Sequence, residues 1–239
     1  MNYLTYPTKV MKITQNHSDG NHAKHSKGDF VDFPFDEACN DAGRDWFYCP
    51  CDEMRIVKIY TAGVNTVWME STSAVVMPIG KSKVTIMVEH MNDDDMKTLS
   101  VGKVFRRGEK MFREGNDGAT GNHFHISVAL GGIKGGGWKK NNNCAWVLTA
   151  TDIPIGANEA FYVDDTKIIN SKGYKFKQKP KENKPMAKLD NTPDKYGKTA
   201  VDWAVKNGIL KGTDEGDYRL HSNITVQDML VFLYRSRGK

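Results

Sequence analysis

The chain has 239 residues, of which 39% are hydrophobic and 26% charged. That balance is enough to bury a core, and it excludes a disordered or collagen-like chain; roughly 150 residues per domain gives one or two domains. The formal net charge of +5 is local, because residues 171–198 hold nine Lys against three acidic residues and the remainder is close to neutral. No stretch approaches the roughly 18 apolar residues of a membrane span, and residues 1–11 lack the apolar run of a secretory signal. The lysines come without a recognition-helix pattern, which sets nucleic acid aside as a partner.

Residues 1–30 are polar and carry His17, His22 and His25 among Asn, Ser, Gly and Lys, the composition of a loop. Short alternating runs bounded by Gly and Asn then predict strands at 54–60, 66–70, 84–90 and 123–128. Cys49-Pro50-Cys51 has one residue between its cysteines instead of two, and Cys39 and Cys144 complete no metal motif with it. Buried thiols beside strands are the expectation. The Gly- and Asn-rich stretch 131–143 is read as a loop, followed by a β-like stretch at 144–149. The Lys- and Pro-containing segment 171–198 reads as a solvated linker. Beyond it the period changes. Ala200, Val201, Ala204, Val205 and Leu210 fall near helical spacing with Gly208 as a stop, and Thr225 can cap a second helix over 224–236. The expected fold is therefore mainly β, an antiparallel-sheet core over 1–170, then the linker, then a small α-helical module over 199–239.

His123-Phe124-His125 is the sharpest chemical feature. Alternation on a strand puts His123, His125 and Ser127 on one face and Phe124, Ile126 and Val128 on the other, with the two imidazoles roughly 7 Å apart at the backbone. His90 closes the 84–90 strand and by alternation shares the face of Val84, Ile86 and Val88. Upstream, His25 precedes Asp29, Asp32 and Asp36. Two histidines and a carboxylate leave a fourth tetrahedral position open, the plan of a catalytic zinc site.

This order of residues resembles the lysostaphin-type zinc metallopeptidases, which cut peptide bonds in bacterial peptidoglycan. The likeness extends through Phe47-Tyr48-Cys49-Pro50-Cys51-Asp52, through Val88-Glu89-His90 and Val101-Gly102-Lys103, to Thr120-Gly121-Asn122-His123-Phe124-His125. It implies Zn²⁺ held by His25, Asp36 and His125, with His90 and His123 beside the open position. Asp29 is the alternative carboxylate, since His25 and Asp29 match the common His-x-x-x-Asp form, and Asp32 is a third. The resemblance leaves open which of His90 and His123 moves the proton and which meets the oxyanion. Loops 63–76 and 131–143 are candidate walls of a peptide groove.

The C-terminal segment, with Trp203-Ala204-Val205, Gly208-Ile209-Leu210-Lys211-Gly212 and Thr225-Val226-Gln227-Asp228, resembles one S-layer-homology repeat. Such repeats bind anionic secondary cell-wall polymers, although the arginine of the usual Thr-Arg-Ala-Glu segment is missing here. The expectation is a phage or prophage endolysin, kept in the cytoplasm of the producing bacterium until release and acting at the wall. The alternatives are a non-catalytic wall-binding protein and a phage tail-associated lysin.

Overall fold

The computed structural model describes residues 1–20, 22, 30–31, 35–38, 43–133, 139–140, 146–147, 153–181, 190–213, 216–221 and 226–237. The chain divides into two compact units, Met1–Pro180 and Lys181–Lys239. The first is mainly β, as the strand pattern predicts. Nine of its strands form one sheet: β1 (Val10–Gln15), β2 (Phe35–Glu37), β3 (Glu53–Tyr60), β4 (Thr66–Ser71), β5 (Val84–Glu89), β6 (Val104–Arg106), β7 (Phe124–Leu130), β8 (Pro154–Ile155) and β9 (Lys167–Asn170). Their order is β6–β3–β4–β5–β7–β2–β1–β9, with β8 also paired to β7. Neighbours are antiparallel except β1 and β9.

Alternation decides which residues fill the core. Val67 and Met69 of β4, Val84, Ile86 and Val88 of β5, and Phe124, Ile126 and Val128 of β7 all enter one large apolar cluster. Phe124 packs edge-on against Phe47 and Phe112, with ring centroids 5.6 and 6.1 Å away. Burying each such side chain contributes about 1.5–3 kcal/mol. The other face of the sheet carries a smaller cluster of Trp68, Met87 and Ala129. Cys49 and Cys51 are buried, where the sequence places them; Cys39 and Cys144 lie outside the described residues.

One polar residue of the core was not foreseen. Glu37 of β2 is fully buried. Its carboxyl accepts hydrogen bonds from the Tyr6 hydroxyl at 2.5 Å and the Lys12 N–H at 2.8 Å. Burial pushes its pKa up to about 7 against those hydrogen bonds.

The Lys-rich segment is not solvated throughout. Tyr174 and Phe176 pack against the main core, because a stretch that is basic on average still offers two aromatic rings to the sheet edge. The second unit contains helices Lys198–Lys206 and Val226–Arg237. Gly208 takes φ +64° and ends the first of them, its N–H bonding to Val205 O while Ile209 N bonds to Ala204 O. That left-handed C-terminal turn is what glycine permits. No helix among the described residues is long and apolar enough to cross a membrane.

Glu37→Ala removes the acceptor from the Tyr6 hydroxyl, the Thr8 hydroxyl and the Lys12 N–H and is expected to cost about 3 kcal/mol. Glu37→Gln keeps one acceptor oxygen and costs less. Urea unfolding of the two variants beside the wild type measures the difference.

Candidate metal centre

Register builds the site. Thr66 of β4 faces Glu89 of β5, Glu89 faces His125 of β7, and His125 faces Asp36 of β2. These four residues form one cross-strand row on the face turned away from the core. Asp36 and His125 are 4% and 7% exposed, and His125 Nδ1 lies 3.1 Å from Asp36 Oδ1.

A tight turn after β1 brings in the third member, His22. Asp19 N and His22 N bond back to Asn16 O and Asp19 O. His22 Nδ1 sits 3.2 Å from Asn16 O, and its Nε2 sits 3.2 Å from Asp36 Oδ1. The Lys-rich segment clamps this turn from outside. Asn16 Nδ2 donates to Lys172 O at 3.1 Å, Lys172 pairs with Asp19 at 3.2 Å, and His17 Nδ1 meets the Tyr174 hydroxyl at 2.9 Å. His22, Asp36 and His125 thus place three ligand atoms within 4.8 Å of one another, all three residues buried. Of the residues expected from the sequence, Asp36 and His125 come together here. His25, Asp29 and Asp32 lie outside the described residues, as does most of the 131–143 loop.

His90 and His123 stand alongside, with ring centroids 4.5 Å apart and His90 6.0 Å from the His125 ring. Alternation aims residue 90 at the core. His90 escapes it by adopting φ +75°, so β5 ends at Glu89 and the ring turns toward the site. Left-handed backbone in a non-glycine residue costs on the order of 1–3 kcal/mol and persists only where its surroundings enforce it. Here Asn65 O accepts from His90 N at 3.0 Å, while Asp117 N donates to His90 O at 3.2 Å. Asp117 Oδ2 in turn accepts from Asn65 N at 2.6 Å. Asn65 and Asp117 are positioning residues without any motif in the sequence. Gly115 completes the arrangement: its carbonyl accepts from His123 N at 2.9 Å. A Cβ there would come within 2.4 Å of His90 O and 2.7 Å of Asn92 N.

The backbone also fixes the imidazole tautomers. His22, His90 and His123 each point Nδ1 at a carbonyl oxygen, that of Asn16, Asp117 and Gly121, at 3.2, 2.7 and 2.9 Å. A carbonyl only accepts, so Nδ1 carries the proton and Nε2 offers a lone pair to the site. Burial, opposed by the Asp117 carbonyl, holds His90 below the ordinary imidazole range. Burial would raise Asp36, but hydrogen bonding to His125 and His22 outweighs it and holds the carboxyl below the usual range.

This donor set fits a zinc ion. His22 has committed its Nδ1 proton to Asn16, so it donates to Asp36 only as an imidazolium. As a neutral ring, its Nε2 lone pair meets a carboxylate lone pair at 3.2 Å. A cation shared by His22, Asp36 and His125 resolves that contact, and two imidazoles with one carboxylate suit zinc.

No protein-family profile matches the chain, and no curated protein matches it. Among solved structures it is similar to a zinc-containing peptidase from Vibrio cholerae, with 15% identity and TM-score 0.40, over 65% of this chain and 39% of that one. A protein from Pseudomonas aeruginosa assigned as a peptidase M23 gives 19%, 0.36, 61% and 48% in the same order. A Ruminococcus gnavus protein assigned as a glycyl-glycine endopeptidase LytM gives 14%, 0.30, 54% and 55%. The chain spans less than two thirds of the length of each.

Gly115→Ala is expected to destabilise the protein by about 1–3 kcal/mol, because the new methyl group meets backbone on two sides. Thermal unfolding of the variant against the wild type checks it.

Proposed function

We propose that the chain is a zinc metalloendopeptidase that cleaves peptide bonds in bacterial peptidoglycan. The observation carrying this reading is the buried His22–Asp36–His125 group with two further lone-pair imidazoles, His90 and His123, at its side. In this reading His22 takes the place that the sequence assigned to His25, and Asp36 is the carboxylate in preference to Asp29. Zinc bound there would supply Lewis acidity, acidifying water and polarising the scissile carbonyl. His90 and His123 do the proton work. Each presents Nε2 to the site, so one accepts a proton from water and delivers it to the leaving amine. The other takes a proton from solvent before the step, and its Nε2–H donates to the oxyanion as it develops. The Asp117 and Gly121 carbonyls hold the two rings in the orientation this requires.

Zinc content and turnover separate the roles. His22→Ala, Asp36→Ala and His125→Ala are expected to lose zinc, whereas His25→Ala and Asp29→Ala keep it. His90→Ala and His123→Ala are expected to keep zinc and lose about 100-fold or more in peptide release from purified peptidoglycan. Zinc lost in His25→Ala and kept in His22→Ala would move the ligand but keep the enzyme. A wild type that takes up no zinc would leave the non-catalytic wall-binding reading.

The C-terminal unit is proposed as the wall-binding part of a phage or prophage lysin. Its cavity of about 540 Å³ is lined by Lys211, Arg219 and Arg235 together with Tyr218, Asp217 and Asp228, a lining with cations for an anionic wall polymer. A chain ending at Pro180 is expected to hydrolyse soluble wall fragments as the full chain does and to bind intact cells less well. Pull-down with cells measures this, and equal binding by both chains would remove the targeting role.

A further inference from the structure

The sheet face that carries the metal centre holds a second group of ligand atoms. Glu89 stands directly across from His125 in the β5–β7 register. A carboxylate oxygen of Glu89 and ring nitrogens of His90 and His125 all lie within 4.8 Å of one another. Bonds of about 2.0–2.2 Å to a zinc ion separate two ligand atoms by roughly 4 Å at most. A small inward movement of the half-buried Glu89 side chain closes that difference.

Two features of the backbone aim these side chains at a common point. Glu89 occupies the outward face by alternation, in the row of Thr66, His125 and Asp36. Residue 90 would leave that face were it extended, but φ +75° keeps its ring beside Glu89. The Asp117 carbonyl accepts a hydrogen bond from the Nδ1–H at 2.7 Å, so Nε2 arrives as a ligand atom. One glutamate and two imidazoles make a donor set for zinc or a similar divalent cation.

We propose that Glu89, His90 and His125 form a second, weaker divalent-cation site, and that zinc held there silences the enzyme by occupying the His90 lone pair. His125 belongs to both groups. The half-buried Glu89 must give up hydration to reach that ring, whereas Asp36 is already buried beside it, and this makes the second site the weaker. The silencing rests on the metallopeptidase reading; the cation site itself does not.

The test is a zinc titration of the metal-free full-length protein, followed by calorimetry. His221, which contacts Asp190 and Asp194 at 2.6 and 3.3 Å in the C-terminal unit, is changed to Ala throughout to remove an adventitious site. The expected result is one tight equivalent and one weaker equivalent. Glu89→Gln keeps the tight equivalent, which also shows that it folds, and weakens the second by about tenfold or more. Peptidoglycan hydrolysis falls as zinc exceeds one equivalent, and falls less in Glu89→Gln. A single equivalent in the protein with native Glu89, or a second equivalent unchanged by Glu89→Gln, overturns the proposal. Asp36→Ala tests the other reading separately: if it retains the tight equivalent, Asp36 is not a ligand of the tight site whatever Glu89 does, and if the protein with native Asp36 takes up no zinc the metallopeptidase assignment fails.

Discussion

Asp36 is a carboxylate at 4% exposure that is nevertheless held in its charged form by two imidazoles on one oxygen. A lone buried carboxylate would take up a proton. Keeping this one ionised requires His125 at a fixed register on the neighbouring strand and His22 on a turn closed over the sheet edge. The turn requires Asn16 to bind both Asp19 and the His22 ring, and it requires residues 172–174 to brace Asn16, His17 and Asp19. Much of the polar structure around the sheet edge follows from satisfying this single anion.

The opposite side of the same strand shows how closely charge is partitioned. Asp36 and Glu37 are consecutive, so alternation sends one carboxyl to the site and the other into the core. Asp36 meets imidazoles and stays low; Glu37 meets a phenol and a peptide N–H and is pushed up to about 7. At His90 the same alternation is broken. The strained φ there costs stability, and Asn65 and Asp117 offset it with hydrogen bonds to the His90 backbone and ring. The chain departs from regular geometry at the residue whose ring it needs beside His123.

Legibility in the sequence follows from these physical differences. The alternation of β5 and β7 is plain in Val84–Glu89 and Phe124–Leu130, so the mainly β fold and the core face were readable, whereas Asp36 beside His125 was offered only by the family resemblance. The side of the sheet taken by His90 was not, since φ +75° in a histidine leaves no mark on hydrophobic periodicity. The family resemblance points to His25, which lies outside the described residues, and gives His22 no part. What brings His22 in is a carbonyl of Asn16 and a brace from residues 150 positions away, neither of which is a local signal. For the same reason Tyr174 and Phe176 were hidden in a segment whose average composition is that of a linker.

His125 lies between two carboxylates in its row, Asp36 on β2 and Glu89 on β5. Their register relation to it is equivalent, yet their surroundings are not. Asp36 is buried and faces two imidazoles across about 3 Å, so its oxygen is already spaced from both nitrogens as ligands of one ion are, and it is shielded from water. Glu89 is half-buried and must give up hydration to reach the same ring. Under the proposed metal sites, preorganisation would therefore rank the two sides of His125, the His22–Asp36 side first and the Glu89–His90 side second. Burial around the two carboxylates would then set the order of filling, and the ring they share would couple the one event to the other.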